Sequence, residues 1–387
     1  MDIESGISDE AYQDQILPHV SRTFALTIPQ LPGALRTAVT CAYLLCRIAD
    51  TIEDEPALSP EETLVYLRRF AAVVAGKEEA AQLAREVAPR LSERTLPAER
   101  DLTRNMERVV RMAAGFSEPQ RAAIVRCVEL MCYGMPQFQH GASIRGLGRC
   151  GDLDNYCYYV AGVVGEMLTE LFCDYSPLIA QRRPALQELA VSFAQGLQMT
   201  NILKDVWEDR SRGACWLPQE LFTRYGVDLG ELSPQNADVG FQQGMLELVG
   251  LAHSHLRNAL AFTLLIPGQE AGIRRFCLWA IGLAVLTLRK IHDNPGFTAG
   301  EQVKISRRAV VLTRVLTNLA VRNDRVLTRL FIQAAGPLPL AAPGAVRRPA
   351  RAAPAPYAPA SMTEYGRQAL RSHVGSAGRR SDGSSMQ

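Results

Sequence analysis

Residues 33–54 read GALRTAVTCAYLLCRIADTIED, and they predict a helix. The stretch opens after the Pro32-Gly33 turn, is apolar around most of its surface, and stops before Glu55-Pro56. Its last turn places Asp50, Glu53 and Asp54 at i, i+3 and i+4, so the carboxylates share one face. Clustered carboxylates repel one another. Arg47, one turn before Asp50, offsets part of that repulsion. Taken alone, the triplet reads equally well as a solvated acidic helix end.

Working outward, helical spacing dominates, and no segment alternates convincingly like a strand. Ser59-Pro60-Glu61-Glu62 has the marks of a helix start: a Ser cap, Pro in the first turn and early acids. Helices are expected near 61–75, 78–91, 97–115, 118–139, 152–175, 185–210, 239–265, 270–292 and 306–333. A longer connection over 210–238 contains Pro218, Gly226, Gly230 and Pro234. An all-α single domain over residues 1–335 follows. Within it, Tyr158, Tyr159, Trp207 and Trp216 read as packing residues, while His253 and His255, which at i and i+2 do not share a face, read as solvent-facing or packing residues. Gly162 and Gly165 read as points of close helix approach or as room for a ligand chain.

With 387 residues, 47% hydrophobic and 21% charged, the chain can bury a large core. A whole-chain charge of +2 gives no reason to expect a nucleic-acid partner. Residues 336–387 carry seven Arg against Glu364 and Asp382, a local charge of +5, which leaves −3 for residues 1–335. This segment is Pro/Ala/Arg-rich, then Ser/Gly-rich, and predicts a disordered tail whose charge suits anionic headgroups. Nine cysteines without a CxxC pair, Cys41, Cys46, Cys127, Cys132 and Cys277 among them in apolar helical patterns, suggest a reduced cytoplasmic protein. The acidic, polar N-terminus is no secretory signal, and the longest apolar run, Phe276 to Leu288, is too short to span a bilayer. Peripheral membrane contact and a monomeric state are expected.

A second triplet, Asp205, Glu208 and Asp209, repeats the first at the end of another apolar helix, Ala185 to Asp209. Two such helix ends suggest a shared site for a hard cation. Magnesium, with manganese as a substitute, bridges a few carboxylates to substrate phosphates. No Cys/His cluster has zinc-ligand spacing. Facing one another, the clusters would hold a diphosphate leaving group and stabilise its charge as a carbon–oxygen bond ionises.

Four further blocks surround these motifs: Ser21-Arg22-Thr23-Phe24-Ala25, the run from Tyr43 to Asp50, the run from Asp154 to Gly165 (DNYCYYVAGVVG), and Thr200-Asn201-Ile202-Leu203-Lys204-Asp205. Together, from about Ser21 to Leu330, they resemble the squalene and phytoene synthases. The resemblance implies the all-α isoprenoid synthase fold, a helical bundle with a central cavity, and head-to-head condensation of two prenyl diphosphates. It implies that Asp50, Glu53, Asp54, Asp205 and Asp209 bind magnesium with support from Glu208. Arg22, Arg47 and Lys204 match basic positions around phosphates and nucleotide, while Ser21, Tyr43 and Asn201 match polar cavity positions. Tyr156 matches the residue that assists proton removal in the first half-reaction, and as an ordinary Tyr it would need nearby cations to become a base.

Val303-Lys304-Ile305-Ser306-Arg307-Arg308-Ala309 resembles a stretch of the reductive branch of that family, which delivers hydride from NADPH. Lys304, Arg307 and Arg308 supply cations beside a helix start. Ser306 stands where an Arg is usual, so which Arg contacts the nucleotide stays open. So does the role of Arg210 or Arg212 in the loop after Asp209. The expectation is squalene formation from two farnesyl diphosphates with magnesium and NADPH. A non-reductive phytoene or dehydrosqualene synthase is the nearest alternative, and a non-catalytic assembly protein the alternative of another class. A class I terpene cyclase would share the acidic motifs but lack the Tyr156 block.

Overall fold

Ser59 builds a complete capping box: its Oγ accepts from the Glu62 amide at 3.3 Å, and the Glu62 carboxylate accepts from the Ser59 amide at 2.9 Å. Local chemistry of this kind sets helix ends throughout the computed structural model, which describes residues 6–21, 23–139, 143–342 and 344–346. Among the described residues there is no strand, only an isolated bridge between Leu147 and Pro218. The helices that build or frame the site are α1 (Asp9–Val20), α2 (Gly33–Glu53), α3 (Pro60–Val74), α4 (Pro97–Arg104), α5 (Met106–Ala114), α6 (Glu118–Gln139) and α7 (Cys150–Cys157), with a further helix over Ala80–Val87 between α3 and α4. There follow α8 (Val163–Tyr175), α9 (Arg183–Lys204), the short α10 (Val206–Ser211), α11 (Val239–Leu265), α12 (Ala271–Asp293), α13 (Arg307–Ala320) and α14 (Asp324–Ala335).

Four stretches expected as single helices are divided, each for a local reason. Between α4 and α5 the Asn105 amide donates to Asp101 O at 3.0 Å and Asp101 Oδ1 at 3.2 Å, competing with the helical ladder. Between α7 and α8, Tyr158–Gly162 forms a π turn. Asp205, at φ −97° and ψ 12°, ends α9, so the second acidic triplet straddles a break and does not finish one helix. Before α14, Asn323 caps a new helix start by accepting from the Val326 amide at 3.1 Å.

At the centre, α9 packs against α8, α11 and α12, while α2 packs on α5 and α6. Glycine permits the closest approaches: a Cβ on Gly165 would lie 2.2 Å from Ala190 O, and one on Gly196 would lie 3.0 Å from the Leu256 amide. Cys41, Cys46, Cys127, Cys132 and Cys277 are buried and form no disulfide, as small hydrophobes would. α12 is long and apolar enough to cross a membrane, but 67% of its apolar window is buried, as in a core helix. His253 and His255 are buried packing residues.

The packed chain continues past Ala335. Leu338 is buried, Pro339 O lies 2.8 Å from His253 Nδ1, and the Ala341 amide donates to Ser254 Oγ at 3.0 Å. Pro343 and residues 347–387, most of the expected tail, lie outside the described residues.

Candidate active site

The first triplet is held from behind by Glu55. This buried carboxylate accepts from the amides of Ala57 and Ser92, both at 2.8 Å, and from Thr95 Oγ1 at 2.6 Å. Burial opposes its charge, but the Thr95, Ala57 and Ser92 hydrogen bonds outweigh burial and hold it below the usual range. The turn after Asp54 is thereby fixed by groups far along the chain.

Asp50 keeps 31% of its side-chain surface open. Protein is nonetheless dense around it, and burial, reinforced by Asp54 and Glu99, pushes its pKa up to about 7 against the pull of Arg47. Arg47 lies 3.7 Å from Asp50 and is ion-paired to the largely buried Glu99. Asp54 is likewise raised, by burial, with Arg47 and Arg212 acting in the other direction. Tyr43 lies one turn before Arg47. Its hydroxyl donates to Val20 O at 2.9 Å, and its ring lies 5.2 Å from that of Phe24. Burial raises its pKa, with Ser21 as an opposing hydrogen-bond partner. Ser21 also accepts from the Phe24 amide at 3.0 Å. Ser21, Tyr43, Arg47 and Asp50 therefore form one connected group.

In the second triplet, Asp205 lies 3.2 Å from Lys204 Nζ. Burial raises the pKa of Asp205 and pushes that of Asp209 up to about 7; Asp205 and Asp54 add to the rise at Asp209, and Arg212 opposes it. Glu208 is exposed. In the following loop, Arg210 donates to Ile144 O at 2.7 Å and Leu232 O at 2.5 Å. Arg212 instead lies in the field of Asp54, Asp205 and Asp209.

Tyr156 joins the two triplets. It is 8% exposed and stacked on Trp216, with ring centroids 4.1 Å apart and planes 5° apart. Phe138 meets its edge at 5.7 Å. Burial raises its pKa well above the ordinary tyrosine value, and Glu53, Asp54 and Asp209 raise it further. These groups favour the neutral phenol.

The donor set suits a hard cation. It is all oxygen, and burial without enough positive charge raises the proton affinity of Asp50, Asp54, Asp205 and Asp209. Among the described residues no three His, Cys, Asp or Glu side chains close into a finished metal cage. Substrate oxygens and water would have to complete the shell, as magnesium prefers.

The remaining expected residues are placed as follows. Asn201 is exposed in the last turn of α9. The loop before α13 reaches the second triplet: Trp207 Nε1 donates to Phe297 O at 2.7 Å, and a Cβ on Gly300 would lie 3.4 Å from Lys204 O. Lys304 pairs with Glu301 at 3.1 Å, and Arg307 and Arg308 are exposed at the start of α13. Ser306 caps α13 by accepting from the Ala309 amide at 3.2 Å, a use for the residue that stands where an Arg was expected. Arg22 lies outside the described residues. Glu99 and the Trp216 stack were not found from sequence, because no periodicity connects Arg47 to a partner 52 residues away.

The fold and the paired carboxylate motifs define an all-α isoprenoid synthase. The solved structure of TcSQS in complex with a ligand aligns with a TM-score of 0.66 and 23% identity, covering 84% of this chain and 97% of that one. The profile described as Squalene/phytoene synthase matches residues 17–309, and the chain belongs to that family. Squalene synthase of Schizosaccharomyces pombe is 30% identical over 288 residues, which span 73% of this chain and 59% of the yeast protein. The human squalene synthase is 29% identical over 310 residues, spanning 78% and 68%.

Proposed function

We propose that this chain is a squalene synthase, a prenyltransferase that joins two farnesyl diphosphates head to head through presqualene diphosphate and reduces the product with NADPH. The observation that carries the reading is Tyr156, which lies in the field of carboxylates from both acidic triplets. A group able to handle a proton thus stands near carboxylates of both acidic motifs. The names of its relatives support the same reaction.

Asp50, Glu53, Asp54, Asp205, Glu208 and Asp209 are the residues that would hold magnesium, or manganese in its place. Bound there, the metal supplies positive charge that stabilises diphosphate as it leaves. Arg47, fixed by Glu99, and Arg212 add positive charge, both acting on Asp54. Ser21, Tyr43 and Asn201 orient substrate. Tyr156 passes its proton to a neighbouring anion, the departed diphosphate, as it takes the proton lost by the carbocation. Buried aromatic neighbours exclude water from that cation.

For the reductive half, Lys204, Lys304, Arg307 and Arg308, with Arg22 and Arg47, are the candidates for the nucleotide phosphates. Contact between the loop preceding α13 and the second triplet favours this reading over a non-reductive synthase. The chain would act as a monomer at the membrane periphery. The test is incubation of the pure protein with labelled farnesyl diphosphate and magnesium, with and without NADPH. Squalene appearing only with NADPH is expected. Dehydrosqualene accumulating in both would overturn the reductive assignment.

A further inference from the structure

Helix α13 is turned inside out. On its inner side, the Thr313 methyl sits 2.5 Å from where a Cβ on Gly282 of α12 would lie, and the Arg314 guanidinium is 4.5 Å from the centre of the Trp279 ring. Its outer side carries Val311, Leu312, Val315, Leu316 and Leu319, which are 57, 57, 48, 38 and 82% exposed. These positions recur at i, i+1, i+4, i+5 and i+8, a continuous stripe along one face. An ordinary surface helix does the opposite, and a contiguous apolar stripe in water marks a contact surface. On α14, Val326 and Ile332 add 39 and 63% exposed apolar side chains.

The charge around the stripe selects the partner. From residue 305 to 335 there are six arginines and one acid, Asp324. That acid is engaged with buried Arg274 at 2.7 Å. Arg307 and Arg308 stand one turn before Val311 and Leu312, and Arg322 and Arg325 follow Leu319, all exposed. Two copies of so cationic a face repel one another, whereas a bilayer offers both apolar depth and anionic headgroups. We propose that α13 is an interfacial helix that lies in the plane of an anionic lipid surface, with the 311–319 stripe at acyl-chain level and Arg322 and Arg325 among the phosphates. This surface is independent of which prenyl product is made.

The test is co-sedimentation of the full-length protein with vesicles of phosphatidylcholine alone or of phosphatidylcholine with phosphatidylglycerol. The wild type is expected to pellet with the anionic vesicles and to be released by salt. A Val315→Glu/Leu319→Glu variant is expected to lose binding by about tenfold or more while its thermal melting and its activity on detergent-dispersed substrate stay unchanged. Should that pair lower the melting temperature, Val315→Ser/Leu319→Ser carries the same expectation. Undiminished binding of the variants, or a wild type that ignores both vesicles, overturns the proposal. So does a wild-type dimer without lipid that the variant converts to monomer, which would assign the stripe to a second copy.

Discussion

The indole of Trp216 lies flat on the phenol of Tyr156, 4.1 Å between centroids and 5° between planes. A stack of this kind is worth roughly 0.5–1.5 kcal/mol, enough to hold a ring in one orientation among carboxylates that favour its neutral form. Replacing Trp216 with Ala is expected to lower kcat about tenfold with KM changed far less, while Trp216→Phe retains most of the rate. Steady-state kinetics on farnesyl diphosphate separates this from a general loss of fold, which would lower the active fraction of Phe and Ala variants alike.

Glu99 is the counter-charge that keeps Arg47 beside Asp50. In Glu99→Gln the guanidinium loses that ion pair, and its charge is left to Asp50 and Asp54. Stability should fall by about 2 kcal/mol, seen as a lower urea midpoint with an unchanged slope. Activity should fall more steeply than the folded fraction does.

Close backbone contact between α8 and α9 leaves no room at Gly165, where a Cβ would lie 2.2 Å from Ala190 O. Gly165→Ala is therefore expected to destabilise by about 2 kcal/mol, against the usual gain from replacing a helical glycine. Thermal melting of the pure variant reads this directly.

Acid stability should depend on His255. Its Nδ1 lies 2.8 Å from Ser192 Oγ, and burial lowers its pKa to about 4 from 6.5. Below the unfolded value the unfolded chain binds a proton that the native ring refuses, so stability falls as pH drops from 6.5 towards 4. The loss reaches roughly 3 kcal/mol at the bottom of that window. Urea midpoints measured across it should fall more steeply for the wild type than for His255→Gln, by close to one proton.

The helical architecture was legible in the sequence because apolar spacing, the Ser59 cap and the Glu55-Pro56 stop are local signals. The breaks at Asn105, Asp205 and Asn323 were not, since each depends on a side chain outcompeting a helix that the neighbouring residues also favour. Both acidic triplets could be read because their spacing is itself the geometry. Trp216 could be assigned only to packing, because its contact with Tyr156 joins a loop to the end of α7. Arg210 and Arg212 looked interchangeable until carbonyl contacts removed the first. In α13 the usual apolar-inward rule pointed the wrong way, because Gly282 and Trp279 on α12 accept a threonine and an arginine.

The central claim is that two triplets from separate helices form one diphosphate site. It is tested most directly by magnesium-dependent diphosphate release from farnesyl diphosphate, compared between wild type, Asp54→Asn and Asp209→Asn. One site requires each single change to reduce release by more than about a hundredfold, with the remaining motif unable to compensate. Near-wild-type release by either variant would contradict it.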